Sequence, residues 1–214
     1  SDVCSSDLNE DVCITEKVEG SNLSLTYDVK QETFFVNTRN RTISNMMIKD
    51  IWGGKESFKI RFLLFLGKIG ILKSLQGVRI SRDLYNIFKD SDIMSSNMYI
   101  VLKSLAKKMG AVQHVTIYGE HVGPKIQGNI YKFDKCNFYA FDIKVDDKFL
   151  DIDDFYKVVE GTCNYAPILS RGVKLNVWLN GKTVQEASNG KSLINSKVLR
   201  EGIVIKPMHE RYSN

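Results

Sequence analysis

A chain of 214 residues, 43% hydrophobic and 26% charged, fits one soluble domain of ordinary size with a core of its own. A formal net charge of +5 and a pI near 8.9 permit a polyanionic partner without requiring one. The most apolar run, Phe62 to Leu66, is flanked by Arg61 and Lys68 and falls far short of the roughly twenty apolar residues of a membrane helix, so no membrane span is expected.

The chain opens on a run that looks foreign. Asp2 to Leu8 back-translates to a common sequencing-adapter oligonucleotide read in frame. Residues 1–8 are therefore set aside as an artefact, native sequence is expected to begin near Asn9, and no signal peptide is read there. Val12-Cys13-Ile14-Thr15 is strand-like. After Glu16-Lys17-Val18-Glu19-Gly20-Ser21, the alternation in Asn22-Leu23-Ser24-Leu25-Thr26-Tyr27 predicts a half-buried strand. Lys17 thus belongs to a tight strand-loop-strand element, with Gly20 allowing the turn and a close ligand approach. A lysine held rigidly in a pocket, partly desolvated beside other cations or a metal, loses its proton and becomes a nucleophile. The same pattern also occurs in ordinary surface turns, so its meaning depends on the residues further along the chain.

Thr33 to Asn37 is a third short strand. Arg39 and Arg41 beyond it are placed either to hold phosphates through their planar donor forks or to lie in a solvated turn. Residues 51 to 91 read as two amphipathic helices separated by Gly77, from the helical spacing of Phe58, Phe62, Phe65 and Ile69 and of Leu84, Ile87 and Phe88. A third helix is predicted from Asn97 to Met109, capped by Gly110. Val112 to Tyr118 is a strand that delivers Glu120 into a glycine-bounded loop through Asn129, where a carboxylate can bind a ribose hydroxyl or a metal ion. Cys136 to Val145 is strongly β-prone, and its aromatics either pack in a core or offer a ring to a flat base.

Asp146-Asp147 reads as a turn, and Asp153-Asp154 opens a helix through Val159. Pro167 to Gly172 reads as a connector, followed by a short helix near Val173 to Leu179 and a polar loop around Gly181 and Gly190. Ile203 to Ile205 is a last strand with Glu201 ahead of it and Lys206 after it, opposite charges able to bracket a metal-bound phosphate. Four cysteines (Cys4, Cys13, Cys136, Cys163) without a C-x-x-C pair and three scattered histidines argue against a disulfide framework and a zinc site, and for a reducing, cytoplasmic setting.

Five motifs now stand in order: Glu-Lys-x-x-Gly-x-Asn, Arg-Asn, Tyr-Gly-Glu with Gly-Pro-x-Ile-Gln-x-Asn, Phe-Tyr-x-Phe-Asp-Ile, and Glu-Gly-x-Val-x-Lys-Pro. Together they resemble the collinear motifs of covalent nucleotidyltransferases, most closely the ATP-dependent RNA ligases of the phage-type RNA ligase 2 family. The likeness runs from Val12 to Pro207, apart from about 51–91, which looks like a helical insertion. The resemblance implies an α+β fold in residues 9–214, with two mainly antiparallel sheets flanked by helices around an ATP pocket, as in covalent nucleotidyltransferase or ATP-grasp-like domains. It implies an adenylyltransferase that joins 5′-phosphate and 3′-hydroxyl RNA ends, as in RNA repair, through a covalent lysyl-AMP and an adenylylated 5′ end. The implied cofactors are ATP and Mg2+ or Mn2+. The implied partner is an RNA end or nicked RNA duplex, bound by a monomer that is cytoplasmic or phage-encoded.

Carried over residue by residue, Lys17 is the nucleophile, and Glu16 and Val18 flank the nucleotide, with the Glu16 backbone beside the adenine. Asn22 and Arg39 contact the phosphates or the nucleic-acid end, and Phe141 packs on the adenine. Glu120 meets the ribose or a metal water, Glu201 holds the catalytic metal, and Lys206 meets the α-phosphate. Lys17, Glu201, Lys206 and Arg39 are thus the implied catalytic set. Two departures stand out. Glu19 occupies the place of a histidine common in the family, as in DNA ligases and capping enzymes. A further lysine-pair motif is absent before Asn214, so a domain incomplete at both ends is expected. The alternatives are a DNA ligase or capping-type nucleotidyltransferase and a catalytically dead nucleic-acid-end binding module. Retention of Lys17, Glu120, Glu201 and Lys206 favours the active enzyme.

Overall fold

A computed structural model describes residues 7–38, 41–43 and 98–211. Arg39, the two helices expected within 51–91 and most of the run set aside at the start lie outside the described residues. The strands are β1 (Asp11–Glu16), β2 (Ser21–Asp28), β3 (Thr33–Thr38), β4 (Arg41–Ile43), β5 (His114–Val122), β6 (Asn137–Val145), β7 (Lys148–Phe149), β8 (Ile168–Lys174) and β9 (Ile203–Pro207). The α-helices are α1 (Met98–Met109), α2 (Ile152–Val159), α3 (Leu175–Leu179) and α4 (Val184–Ser188). The described strands form two sheets of antiparallel pairs, ordered β8-β1-β9 and β4-β3-β2-β5-β6-β7, so the α+β architecture implied by the motifs is the one observed.

Period-two alternation explains how the small sheet is seated. On β1, Val12 and Ile14 pack with Leu175 and Leu179 of α3, while Cys13 points the other way into the main core. On β9, Ile203 and Ile205 join the α3 side. Lys206, which pairs with Cys13 across the ladder, is thereby turned toward the large sheet. The main core lies between that sheet and α1 and α2, with Leu23, Leu25, Ile117 and Ile143 against Met98, Leu102, Phe155 and Val159. Burying each such aliphatic side chain contributes about 2 kcal/mol. Two stretches of backbone tie the sheets together. Residues 17–20 carry the chain directly from β1 of one sheet into β2 of the other. At Ala140 of β6, the N–H donates to the Asn164 carbonyl (2.9 Å) and the carbonyl accepts from Ala166 N–H (2.8 Å), just ahead of β8.

Several local expectations hold. Helix α1 ends at a left-handed Gly110 (φ 65°), and Asp146 turns the chain at φ 51°. The Asp146 carboxylate accepts from the backbone N–H groups of Val112, Gln113 and His114 at 2.8–3.0 Å.

Others are corrected. β2 is not half-buried: Leu23 to Asp28 are all buried, because the polar side chains on its second face bond to one another. The Thr26 and Thr116 hydroxyls meet at 2.9 Å, and Asn37 Nδ2 donates to Thr26 Oγ1 at 3.3 Å. β5 does not stop at Tyr118 but runs to Val122, so Glu120 lies on a strand and not in a loop. The stretch Pro167–Gly172 is not a connector, since β8 begins at Ile168 and takes in Val173; its two register irregularities against β1 erase the alternation that would have revealed it. The polar loop near Gly181 holds α4, opened by a capping box between Thr183 and Glu186 that was overlooked.

Candidate active site

Lys17 stands where the chain leaves the small sheet. The pairing of Glu16 with Ile203 brings the end of β1 beside the start of β9, and Lys17 N–H donates to the Gly202 carbonyl at 3.0 Å. The same register sets the Lys17 ammonium in hydrogen-bonded contact with Glu201 Oε1, 184 residues away in the chain. The amine is less enclosed than a desolvated pocket lysine: its side chain is 54% exposed, against 34% for Glu201. What is rigid is the backbone around it. Val18 is buried with Val122, Tyr131 and Ala166. A Cβ at Gly20 would lie 2.6 Å from the His121 carbonyl oxygen and 2.8 Å from Val122 Cγ1, so only glycine lets the connector pass this close to β5.

Glu120 joins this group from the large sheet, where it pairs across the ladder with the exposed Asn22. Burial, then the nearby Glu201 charge, pushes the Glu120 carboxyl up to about 7, opposed by Lys17. Its Oε2 is buried without a hydrogen-bond partner. An orphaned carboxylate oxygen facing a second carboxylate is a setting that a hard divalent cation would relieve, so Glu120 and Glu201 fit the implied metal as a two-residue, water-completed set. Among the described residues, no group of three or more His, Cys, Asp or Glu side chains could hold a metal.

Phe141 and Lys206 meet at a second point. The β5–β6 register shifts between Tyr118 and Gly119, pairing them with Asp142 and Ala140, so Phe141 is a bulged residue with no partner on β5. Its carbonyl is free to accept from Lys206 Nζ at 2.8 Å, while its ring centroid lies 5.7 Å from that nitrogen. The third party is Asp142, whose Oδ2 is 2.6 Å from Lys206 Nζ and which the motif resemblance does not single out. Burial raises the Asp142 carboxyl, and Lys206 acts against that. Phe141 also packs against the cluster that buries Val18, so the two groups share one wall.

A further ring of contacts surrounds the lysine loop. Glu16, fully buried, accepts from Leu193 N–H through Oε2 (2.6 Å), and its Oε1 has no hydrogen-bond partner. Tyr131 Oη accepts from Glu19 N–H at 2.8 Å, and the Tyr131 carbonyl accepts from Asn195 Nδ2 at 3.0 Å. Leu193, Asn195 and Tyr131 were missed by motif reasoning. The described structure thus gathers Lys17, Asn22, Glu120 and Glu201, sets Phe141 and Lys206 at a second point along the wall that buries Val18, and holds Glu16 and Val18 as buried supports. No disulfide joins Cys13, Cys136 and Cys163. Among the described residues, no helix is long and apolar enough to cross a membrane.

Comparison with known proteins bears on the fold and the family. A solved structure of Naegleria gruberi RNA ligase, a lysine-to-alanine variant without ligand, superposes with a TM-score of 0.62 at 20% identity, covering 95% of this chain and 48% of that one. Another variant of that ligase, solved with ATP and Mn, gives 0.61 at 20% identity over 95% and 47%. The same ligase with PPi gives 0.58 at 18% identity over 97% and 49%. This likeness speaks to fold, and the chain spans about half the length of these relatives. No curated protein matches the chain in sequence. The family profile described as RNA ligase matches residues 10–214, nearly the whole sequence, and the chain therefore belongs to the RNA ligase family.

Proposed function

We propose that the chain is the adenylyltransferase part of an ATP-dependent RNA ligase of the phage-type RNA ligase 2 kind, joining 5′-phosphate to 3′-hydroxyl RNA ends. The observation that carries this reading is the Lys17–Glu201 contact, made by two distant motifs where the two sheets meet. In the first step the ammonium gives up a proton, for which the Glu201 carboxylate is a contacting acceptor. The Lys17 nitrogen then bonds to the α-phosphorus of ATP as the bond to pyrophosphate breaks. AMP passes next to the RNA 5′-phosphate, and the 3′-hydroxyl displaces it. Lys206 and Arg39 offset phosphate charge and Asn22 contacts the phosphates or the nucleic-acid end; Phe141 supports the adenine face; Glu16 and Val18 fix the loop. A divalent cation at Glu120 and Glu201 would supply positive charge that favours the neutral amine and the leaving pyrophosphate. Solved relatives with ATP and Mn support a nucleotide-and-metal reading.

The test is transfer of label from α-labelled ATP to protein. Lys17→Ala abolishes it and Lys125→Ala leaves it intact, whereas label persisting in Lys17→Ala rejects the assignment. Glu201→Gln lowers the rate about a hundredfold or more, and excess chelator stops the wild type. A second reading, a DNA ligase or capping-type enzyme, is favoured by Glu19 in the lysine loop. It prevails if all-DNA nicks are sealed as fast as nicks with RNA on the 3′-hydroxyl side.

A further inference from the structure

We propose that Tyr131 is a positioning residue for the nucleophile, its hydroxyl and carbonyl locking the lysine loop to the segment at 192–195 so that the Lys17 amine is presented in one place. The inference rests on Lys17 being the nucleophile. Both flanks of Lys17 are held by the same small assembly. On one side Glu16 takes the Leu193 N–H at 2.6 Å; on the other, Glu19 N–H is taken by Tyr131 Oη at 2.8 Å. Asn195 closes the circuit by donating to the Tyr131 carbonyl at 3.0 Å. The turn that carries Leu193 and Asn195 is itself fixed by the buried Ser192, whose hydroxyl accepts from Ile194 N–H (3.0 Å) and Asn195 N–H (3.2 Å). Tyr131 is 4% exposed and packs on Val18, so the residues around Lys17 are pinned while its own side chain projects outward. Burial, with the Glu16, Glu19 and Glu201 charges adding to it, pushes the Tyr131 hydroxyl up to about 12, so it stays a neutral phenol. A phenylalanine ring would fill the same cluster. Only the hydroxyl reaches the loop backbone.

The experiment compares Tyr131→Phe with wild type in three readouts: single-turnover lysyl-AMP formation at saturating ATP, the Kd for ATP, and hydrogen exchange at the Glu19 amide. Loss of this one part-buried hydrogen bond, which holds the loop that carries the reacting group, slows adenylylation about tenfold, leaves ATP affinity within about twofold, and speeds Glu19 exchange about tenfold. Asn195→Ala, which loosens Tyr131 from the far side, slows the step less. The double variant is no slower than Tyr131→Phe alone, the non-additivity of two residues on one circuit. A wild-type adenylylation rate in Tyr131→Phe with Glu19 exchanging fast overturns the positioning role, and unchanged Glu19 protection overturns the lock. A wild-type chain that takes no label at all overturns the nucleophile reading instead, and Glu19 exchange then still decides whether Tyr131 holds the loop.

Discussion

Acid should set one histidine against this fold. His121, on β5 next to Glu120, is 3% exposed, and its Nε2 is buried without a hydrogen-bond partner. Burial lowers its pKa from 6.5 to about 4. The unfolded chain therefore binds a proton below pH 6.5 that the folded chain refuses until about pH 4, so stability is complete above pH 6.5 and falls as pH drops through that window. At about 1.4 kcal/mol per pH unit, the loss reaches about 2 kcal/mol at pH 5 and about 3 kcal/mol at pH 4. Urea unfolding of wild type and His121→Asn at pH 7.5 and pH 5 isolates this term. Glu120, raised to about 7, works in the opposite sense, since its stability contribution is lost as pH rises through 7; being present in both proteins, it cancels. Wild type should lose about 2 kcal/mol more than the variant between the two pH values. Equal losses would refute the argument.

Gly119→Ala should cost about 3 kcal/mol in urea unfolding, because the new Cβ would lie 2.3 Å from Phe138 Cζ and 2.6 Å from the Tyr139 carbonyl oxygen, neither of which can step aside; a cost below about 1 kcal/mol would show that β5 and β6 slide freely. Lys206→Met should cost about 3 kcal/mol near neutral pH by stranding the largely buried Asp142 carboxylate. That cost should shrink toward pH 4, since Asp142 without its lysine binds its proton more tightly when folded, and the penalty grows as pH rises above the ordinary carboxylate range. A cost independent of pH would place the effect in packing rather than in the ion pair.

Strands that run apolar or β-prone between turn residues were legible in the sequence. β1, β3, β6 and β9 do so, and α1 announces its end through Gly110. Two other strands were not read correctly: β8 is broken by irregular pairing and by Gly172, and β2 buries polar residues that a half-exposed strand would show to water. The Lys17–Glu201 contact was legible only through the order of motifs, because no local pattern joins residues 184 positions apart. Tyr131, Leu193 and Asn195 were illegible for a different reason. Leu193 and Glu19 act through backbone N–H groups, which every non-proline residue owns, so side-chain identity carries no trace of the role. Asp142 stood inside a quoted motif, yet its partnership with Lys206 exists only once two sheets face each other.

The bulge at Phe141 makes β6 an instrument with two settings. Ahead of it the buried positions are even-numbered, Phe138 and Ala140; beyond it they are odd-numbered, Ile143 and Val145. One surplus residue thus changes parity midway along the strand, and the bulge absorbs it so that both halves keep their apolar side inward. Deleting Phe141 would set Ala140 and Ile143 two positions apart, and a plain strand would then bury all four residues with no bulge at all. What the deletion would take away is the carbonyl of the surplus residue, which accepts from Lys206 Nζ, and replacement by any other amino acid would leave that carbonyl in place. In this stretch chain length, rather than the side chain at the surplus position, supplies the acceptor for the lysine.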